Sequence, residues 1–266
     1  MLQSQPIIRW AGSKRKLLPI LKSNLPKHYD RYVEPFCGSA SLFFEQSQNK
    51  ALLADINGEL INAFTQIKNN NEIRELAVSL PNTSEKYYEM RSLDPENLNE
   101  TERAVRFLYL NRYCFNGVYR TNKAGRFNVP RGSRTGGFPD KNVFNMVRKK
   151  LLLAELIVSD YSDTMTRLKK GDFVYIDPPY TKTGKNTGEY GPNSFKSDRI
   201  PEFISYLAEI DRKEVKFLLS YRACSETIQL LSNHYHIEYL SVKRHISGFK
   251  KNWGDAQEIL VKNYES

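Results

Sequence analysis

Asp177-Pro178-Pro179-Tyr180 follows directly on the apolar run Phe173-Val174-Tyr175-Ile176. Four strand-favouring residues in succession predict a strand covered on both faces. The two prolines end it, because neither offers an N–H to a ladder. In an open α/β sheet, ligands bind outside the carboxyl ends of the strands. There Asp177 supplies a carboxylate, Pro178 a backbone carbonyl at restricted geometry, and Tyr180 an aromatic face. Two acceptors beside a flat platform suit a planar amine, such as the exocyclic NH2 of a base or an amide. The tetrapeptide alone would equally suit a tight turn after a strand, so the surrounding chain has to decide.

Three upstream segments bear on that decision. Pro6 to Lys16 reads as a turn into a helix with Leu17, Leu18 and Leu21 on one face. Its Gly12-Ser13-Lys14 start is either an ordinary cap or a place where free N–H groups hold an anionic ligand. Tyr32 to Phe44 reads as strand, small-residue turn and helix, in which Gly38, Ser39 and Ala40 let a ligand approach the backbone. Ala51 to Asn57 is a second strand ending in Asp55. An acid about 20 residues after such a turn is the βαβ arrangement in which a carboxylate takes ribose hydroxyls. The turn lacks Gly-x-Gly-x-x-Gly, which disfavours a nicotinamide cofactor.

Charge points to a second function. The formal net charge is +10, and between Glu102 and Asp140 there is no acidic residue. Arg103, Arg106, Arg112, Arg120, Lys123, Arg126, Arg131 and Arg134 contribute +8 there. Within this segment Tyr119 and Arg120 form one arm of an expected hairpin, Phe127 and Val129 the other, with the turn at Asn122 to Gly125. Arginines interleaved with aromatics and asparagines are what a nucleic-acid reader needs: cations for phosphates, Arg and Asn for base edges, an aromatic to enter the stack. A solvated basic loop is the plainer alternative, but eight cations without an acid repel one another unless an anion is present.

The remaining elements must hold these residues. Helical periodicity runs from Gly58 to about Arg112, through Leu60, Ile61, Phe64 and Ile67, then Ala104, Phe107, Leu108 and Leu110, broken by Pro81 and Pro95. A helix near Asn142 to Leu153 precedes strands at Leu156 to Ser159 and Phe173 to Asp177. Thr181 to Ser197 reads as a loop over the site. Helices near Ile200 to Ile210 and Ser225 to Leu231 alternate with strands at Val215 to Ser220, Ile237 to Val242 and Glu258 to Val261. Lys243, Arg244, Lys250 and Lys251 form a further basic cluster. The expected fold is an α/β sheet over 1–57 and 151–266, with a mainly helical lobe carrying a β-hairpin inserted at 58–150.

Bulk properties set the class. The 266 residues, 40% hydrophobic and 12% aromatic, can bury a full core and are not those of a disordered chain. There is no apolar run of about 18 residues and no signal-peptide pattern at the start, so a cytoplasmic protein is expected, without a membrane partner. Cys37, Cys114, Cys224 and the four histidines do not fall at metal-ligand spacing, so no metal is expected.

Taken together, these segments resemble the Dam-type DNA adenine-N6 methyltransferases. The resemblance rests on Trp10-Ala11-Gly12-Ser13-Lys14, Glu34-Pro35-Phe36-Cys37-Gly38, Ala54-Asp55-Ile56-Asn57, Asn111-Arg112 with Phe115-Asn116-Gly117, Phe127-Asn128-Val129-Pro130, and Asp177 to Tyr180. It implies a Rossmann-like sheet that uses S-adenosyl-L-methionine, releases S-adenosyl-L-homocysteine and acts on double-stranded DNA. Asp177, Pro178, Pro179 and Tyr180 would be catalytic. Trp10, Ala11, Gly12, Lys14, Glu34, Pro35, Phe36, Cys37, Gly38, Ser39, Asp55, Ile56 and Asp177 would meet the cofactor, Lys14 near its carboxylate end. Arg9, Arg112, Phe115, Asn116, Val118, Arg120, Asn122, Arg126, Asn128, Pro130 and Arg131 would meet DNA, with Phe115 entering the stack and Arg120 and Asn116 reading bases.

Three positions depart from the pattern. Ser13 and Ala40 stand where glycine is common, which is tolerable if neither needs positive φ, and Ser133 stands where a positive DNA contact can occur. The resemblance supports adenine methylation, within GATC or a related site. Cytosine-N4 transfer and a catalytically silent DNA-binding regulator are the alternatives. A monomer is expected, and a cognate restriction endonuclease is left open.

Overall fold

The computed structural model describes residues 7–46, 50–122, 124–133, 136–179, 200–223, 225–232, 234–243 and 255–265. Among these residues seven strands, β1 (Arg31–Glu34), β2 (Ala51–Asp55), β3 (Ala154–Val158), β4 (Asp172–Ile176), β5 (Lys216–Arg222), β6 (His236–Lys243) and β7 (Asp255–Lys262), form one sheet. Their order is β3-β2-β1-β4-β5-β7-β6. The first five strands pair in parallel, while β7 runs antiparallel between β5 and β6. The chain winds outward from β1 to β3 and then crosses back to β4, so strand order reverses between β1 and β4. A crevice opens at such a reversal, outside the carboxyl ends of the strands.

β4 is buried at all five positions, as expected of a central strand with helices on both faces. Successive side chains point to opposite faces, and the sequence fills both. Tyr32, Leu53, Phe173 and Tyr175 pack on one side against Leu60 and Phe64 of α3 (Gly58–Asn69), Phe107 of α6 (Glu100–Tyr113) and Phe144 of α7 (Lys141–Leu151). Val33, Leu52, Val174 and Ile176 pack on the other against Tyr161 and Met165 of α8 (Tyr161–Thr166) and Phe203, Leu207 and Ile210 of α9 (Ile200–Arg212). β3, at the sheet edge, leaves Val158 59% exposed. At the opposite end of β4, the Arg31 guanidinium grips Asp172 with two hydrogen bonds of 3.0 and 2.6 Å.

The helices begin where the sequence supplies side-chain oxygens. Asn57 accepts from Leu60 N, Asp140 from Val143 N, and Asn99 with Glu102 closes a capping box at α6. The short α1 (Leu18–Ser23) and α2 (Ser41–Phe44), then α4 (Ile73–Val78), α5 (Ser84–Ser92) and α10 (Ser225–Ser232), complete the set among the described residues.

Residues 58–150 lie between β2 and β3, and their packing divides in two. α3, α7 and one side of α6 join the core of the sheet. Tyr87, Met90, Tyr109, Tyr113, Phe127 and Val129 form a separate small core beneath the hairpin. The core therefore divides along α6 rather than at residue 58. Phe173 is fully buried, its ring 5.3 Å from Tyr29 and 5.8 Å from Tyr32. Phe173→Ala is expected to lower unfolding free energy by roughly 3–5 kcal/mol, seen as a lower denaturant midpoint with an unchanged slope.

Candidate active site and nucleic-acid interface

A cleft of about 1020 Å³, measured to its open mouth, crosses the carboxyl ends of β1, β2, β3 and β4. Trp10, Ala11, Gly12, Lys14, the turn from Glu34 to Ser39, Asp55, Ile56, Asp177, Pro178 and Pro179 all line it. Ser159, Asp160 and Tyr161 line it as well. The sequence reading passed over these three. They follow β3, which pairs with β2, and Ser159 N donates to Asp55 O at 3.1 Å. Asp160 caps α8, and an Asp before a helical turn was the available signal. Tyr180 and the loop 181–197 lie outside the described residues, as do Lys123, Arg134, Cys224, Arg244, Lys250 and Lys251.

The turn after β1 is shaped by close approach. Gly38 has φ +47°, and a Cβ there would lie 2.8 Å from Trp10 Cδ1, so both conformation and space require glycine. Its N–H donates to Asp55 Oδ2 at 3.0 Å, while Asn57 N donates to Oδ1 at 2.9 Å. Each Asp55 oxygen is thus aimed by a backbone donor, with lone pairs remaining toward the cleft. Ala40 adopts φ +49°, so the condition for alanine without strain fails there, whereas Ser13 is not at positive φ. The left-handed conformation costs about 1–2 kcal/mol, of which the buried methyl recovers about 0.8 kcal/mol, so Ala40 carries a small net strain.

Carboxylates dominate the cleft's electrostatics. Glu34 is 2% exposed and its Oε1 accepts from Tyr32 OH and Phe43 N. Burial pushes its pKa up to about 8, more than those two bonds pull it down. Burial likewise raises Asp55, against the lowering by its two backbone donors, and holds the Cys37 thiol protonated, well above its ordinary range.

Asp177 is also raised by burial, opposed first by the Lys14 ammonium. Lys14 Nζ lies 2.6 Å from Asp177 Oδ1 and 3.2 Å from Gly12 O. Lys14, expected near the carboxylate end of a cofactor, is therefore fastened to the Asp177 carboxylate. Ser220 Oγ donates to the same Oδ1 at 3.2 Å. Oδ2 takes no hydrogen bond from a described residue.

The hairpin forms as two isolated bridges, Cys114–Arg131 and Thr121–Phe127, rather than as extended strands. Asn122 Oδ1 accepts from Ala124 N and Arg126 N, so this side chain closes the turn. Arg120 and Arg126 are exposed, and Arg120 Nε donates to Asn128 Oδ1 at 2.8 Å. Phe115 is 50% exposed beside Asn116, whose φ of +54° suits asparagine. Val118 is half-buried, Pro130 is exposed, and Arg131 is tied to Asn82.

Arg112 is corrected by the structure: it is 5% exposed, donates to Ile7 O at 3.0 Å and lies over the Phe138 ring. It braces the lobe instead of facing DNA. The repulsion argued from eight cations is corrected as well. Arg103 pairs with Glu59, and Arg106 turns inward to the carbonyls of Met90 and Arg91.

The hairpin and the cleft meet at residues 9 and 10. Asn111 receives Arg9 N at 2.8 Å and donates to Arg9 O at 2.6 Å, while Arg9 Nη1 reaches Arg112 O at 2.9 Å. A Cβ on Gly117, at φ +65°, would lie 2.5 Å from Arg9 Cβ. Trp10 stacks on Tyr119 of the hairpin with ring centroids 5.8 Å apart.

A doubly wound sheet with a partly buried acid after its central strand, a glycine turn, and an acid after the next strand defines the class of α/β proteins that bind ligands at a topological switch point. Comparison with known proteins narrows it. Residues 10–246 match the model of the D12 class N6 adenine-specific DNA methyltransferases. A type II methyltransferase of Lactococcus lactis subsp. cremoris is 32% identical over 98% of this chain and 95% of its own. The DNA adenine methylase of Escherichia coli (strain K12) is 33% identical over 83% of this chain and 81% of its own. A type II methyltransferase of Methanocaldococcus jannaschii is 29% identical over 99% of this chain and 100% of its own. The chain belongs to the D12 class, and it is an enzyme that methylates adenine in DNA. Among the described residues no helix is long and apolar enough to cross a membrane.

The Glu34 shift has a measurable sign. Its pKa rises from an ordinary 4.5 to about 8 on folding. The stabilisation tied to its proton is complete below the lower value and is lost as pH rises through the upper one. Glu34→Gln keeps both acceptor contacts and is expected to abolish that slope. Calorimetry of parent and variant should show Tm values that diverge in favour of the variant as pH rises from about 5 to 9.

Proposed function

We propose that Asp177 and the backbone carbonyl of Pro178 receive the amino hydrogens of an adenine flipped out of duplex DNA, with Tyr180 stacked on its ring and Pro179 fixing the turn. Flipping costs a few kcal/mol of unstacking. The observation that carries this reading is Asp177 itself. It is anchored through Oδ1 at the end of a fully buried strand, and its other oxygen is free of described partners beside a cleft. Accepting from the amine makes N6 more tetrahedral and turns its lone pair toward the methyl donor. Catalysis then comes from position and charge complementarity.

We infer that the donor is S-adenosyl-L-methionine, leaving as S-adenosyl-L-homocysteine, which supplies a methyl already activated on a sulfonium. The residues present fit it. Asp55 is aimed for ribose hydroxyls, Gly38 lets the Trp10 ring close against the turn, and Trp10, Phe36 and Ile56 offer apolar surface. With Glu34 protonated near neutrality, the Asp55 and Asp177 carboxylates against the one Lys14 ammonium favour a cationic ligand. A donor already activated needs no covalent nucleophile, and Cys37, held as a thiol, is packing.

DNA meets Arg9, Phe115, Asn116, Arg120, Arg126 and Asn128 on the hairpin side, with Asn122, Val118, Pro130 and Arg131 shaping or flanking that surface. The target in this reading is GATC or a related short site. The lobe at 58–150 is the recognition module and the protein acts as a monomer. Partnership with a restriction endonuclease is a further possibility that the type II names of two relatives raise for those proteins.

Incubation with S-adenosylmethionine and unmethylated genomic DNA, followed by sequencing that reports modified bases, tests reaction and target together. N6-methyladenine confined to one short motif is expected from the parent, and no methylation from Asp177→Ala, which should still bind DNA. Methylation by that variant at the parent rate would remove Asp177 from the mechanism. DNA affinity should fall with salt by a log–log slope of roughly −0.9 per neutralised phosphate, and Arg126→Ala should reduce that slope by about 1. An unaltered slope would place Arg126 off the phosphates.

A further inference from the structure

We propose that Ser220, backed by Tyr175, is a positioning residue that fixes which oxygen of Asp177 faces the adenine amine. The proposal rests on the reading of Asp177 given above. Ser220 is fully buried on β5, one residue beyond the Ile176–Leu219 register pair, which sets it level with Asp177 across the ladder. A serine hydroxyl has one hydrogen. Ser220 Oγ lies 3.2 Å from Asp177 Oδ1 and 2.9 Å from Tyr175 OH. A carboxylate can only accept from it, so the serine hydrogen goes to Asp177 and the tyrosine hydrogen goes to Ser220. The order of donation is Tyr175 to Ser220 to Asp177.

Lys14 Nζ reaches the same Oδ1 at 2.6 Å. Two donors converging on one oxygen leave Oδ2 as the accepting atom for substrate. Of the two, Lys14 is a point charge on a flexible four-carbon stem and follows the carboxylate if it turns. Ser220 sits on a neighbouring strand and cannot follow. The geometry therefore assigns Ser220 the rotational hold on Asp177 and Lys14 the charge.

The hydrogen bond from Ser220 also favours the ionised carboxylate. Its removal raises the Asp177 pKa further, so the acceptor is lost at a higher pH. Ser220→Ala is expected to lower kcat for methyl transfer roughly 10-fold at neutral pH, the scale of a hydrogen bond to a charged group. KM for DNA and for donor should stay within about twofold, and the acid limb of the kcat profile should move to higher pH. Ser220→Thr, which keeps the hydroxyl, should restore both kcat and the limb. Tyr175→Phe should shift the limb in the same direction by less.

Unchanged kcat and limb in Ser220→Ala, with Asp177→Ala inactive, would overturn the proposal while the reading of Asp177 stands. Transfer by Asp177→Ala would overturn that reading itself. A fall in kcat with an unmoved acid limb would mark Ser220 as packing and also overturn the proposal. Should Ser220→Ala lose its cooperative thermal transition, Tyr175→Phe decides, and an unmoved limb there overturns it.

Discussion

A strand covered on both faces has no freedom of register. Sliding β4 by one residue would carry Phe173 and Tyr175 to the face built for Val174 and Ile176, exchanging every contact of both cores. The Arg31–Asp172 pair fixes one end of the strand and the two prolines the other. Asp177 therefore emerges at a height set by the whole sheet. Lys14 and Ser220 then orient a carboxylate whose backbone is already placed.

The molecule separates its charges. Arg120 and Arg126 stand exposed on the hairpin, while the cleft holds Glu34, Asp55 and Asp177 with Lys14 among them. Burial raises all three acids, and paired donors restrain each in a different way. Glu34 is bonded only to neutral groups and keeps a proton near neutrality. Asp177, with an ammonium at 2.6 Å, is the one best supported as an anion. A single cleft thus holds acids of unequal proton affinity.

Much of this was legible in the sequence because the signals were local. An apolar run ended by prolines, a small-residue turn after a strand, and an acid ending the next strand each act within a few residues. Asp177, Asp55 and Gly38 were legible for that reason, and the family pattern joined them. What escaped depended on the third dimension. Ser159 to Tyr161 line the cleft only because β3 lies beside β2, and Ser220 matters only because β5 lies beside β4. Arg112 looked like a DNA contact because a chain of arginines does not say which guanidinium will find buried carbonyls. Arg103 looked unpaired because its partner, Glu59, lies 44 residues away. The helix α8 was passed over because six residues are too few to display a helical period.

The stitching of residues 9 and 10 into α6 and the hairpin bears on how such enzymes can be recombined. Arg9 is clasped by Asn111, its Cβ lies against Gly117, and Trp10 lies between Tyr119 and Gly38. The surface proposed to face the target is therefore not contained in residues 58–150 alone. A chimera that exchanges 58–150 between relatives leaves behind half of a seam whose other half begins at residue 9. The exchangeable unit is discontinuous, and the N-terminal segment has to travel with the lobe that it was shaped against.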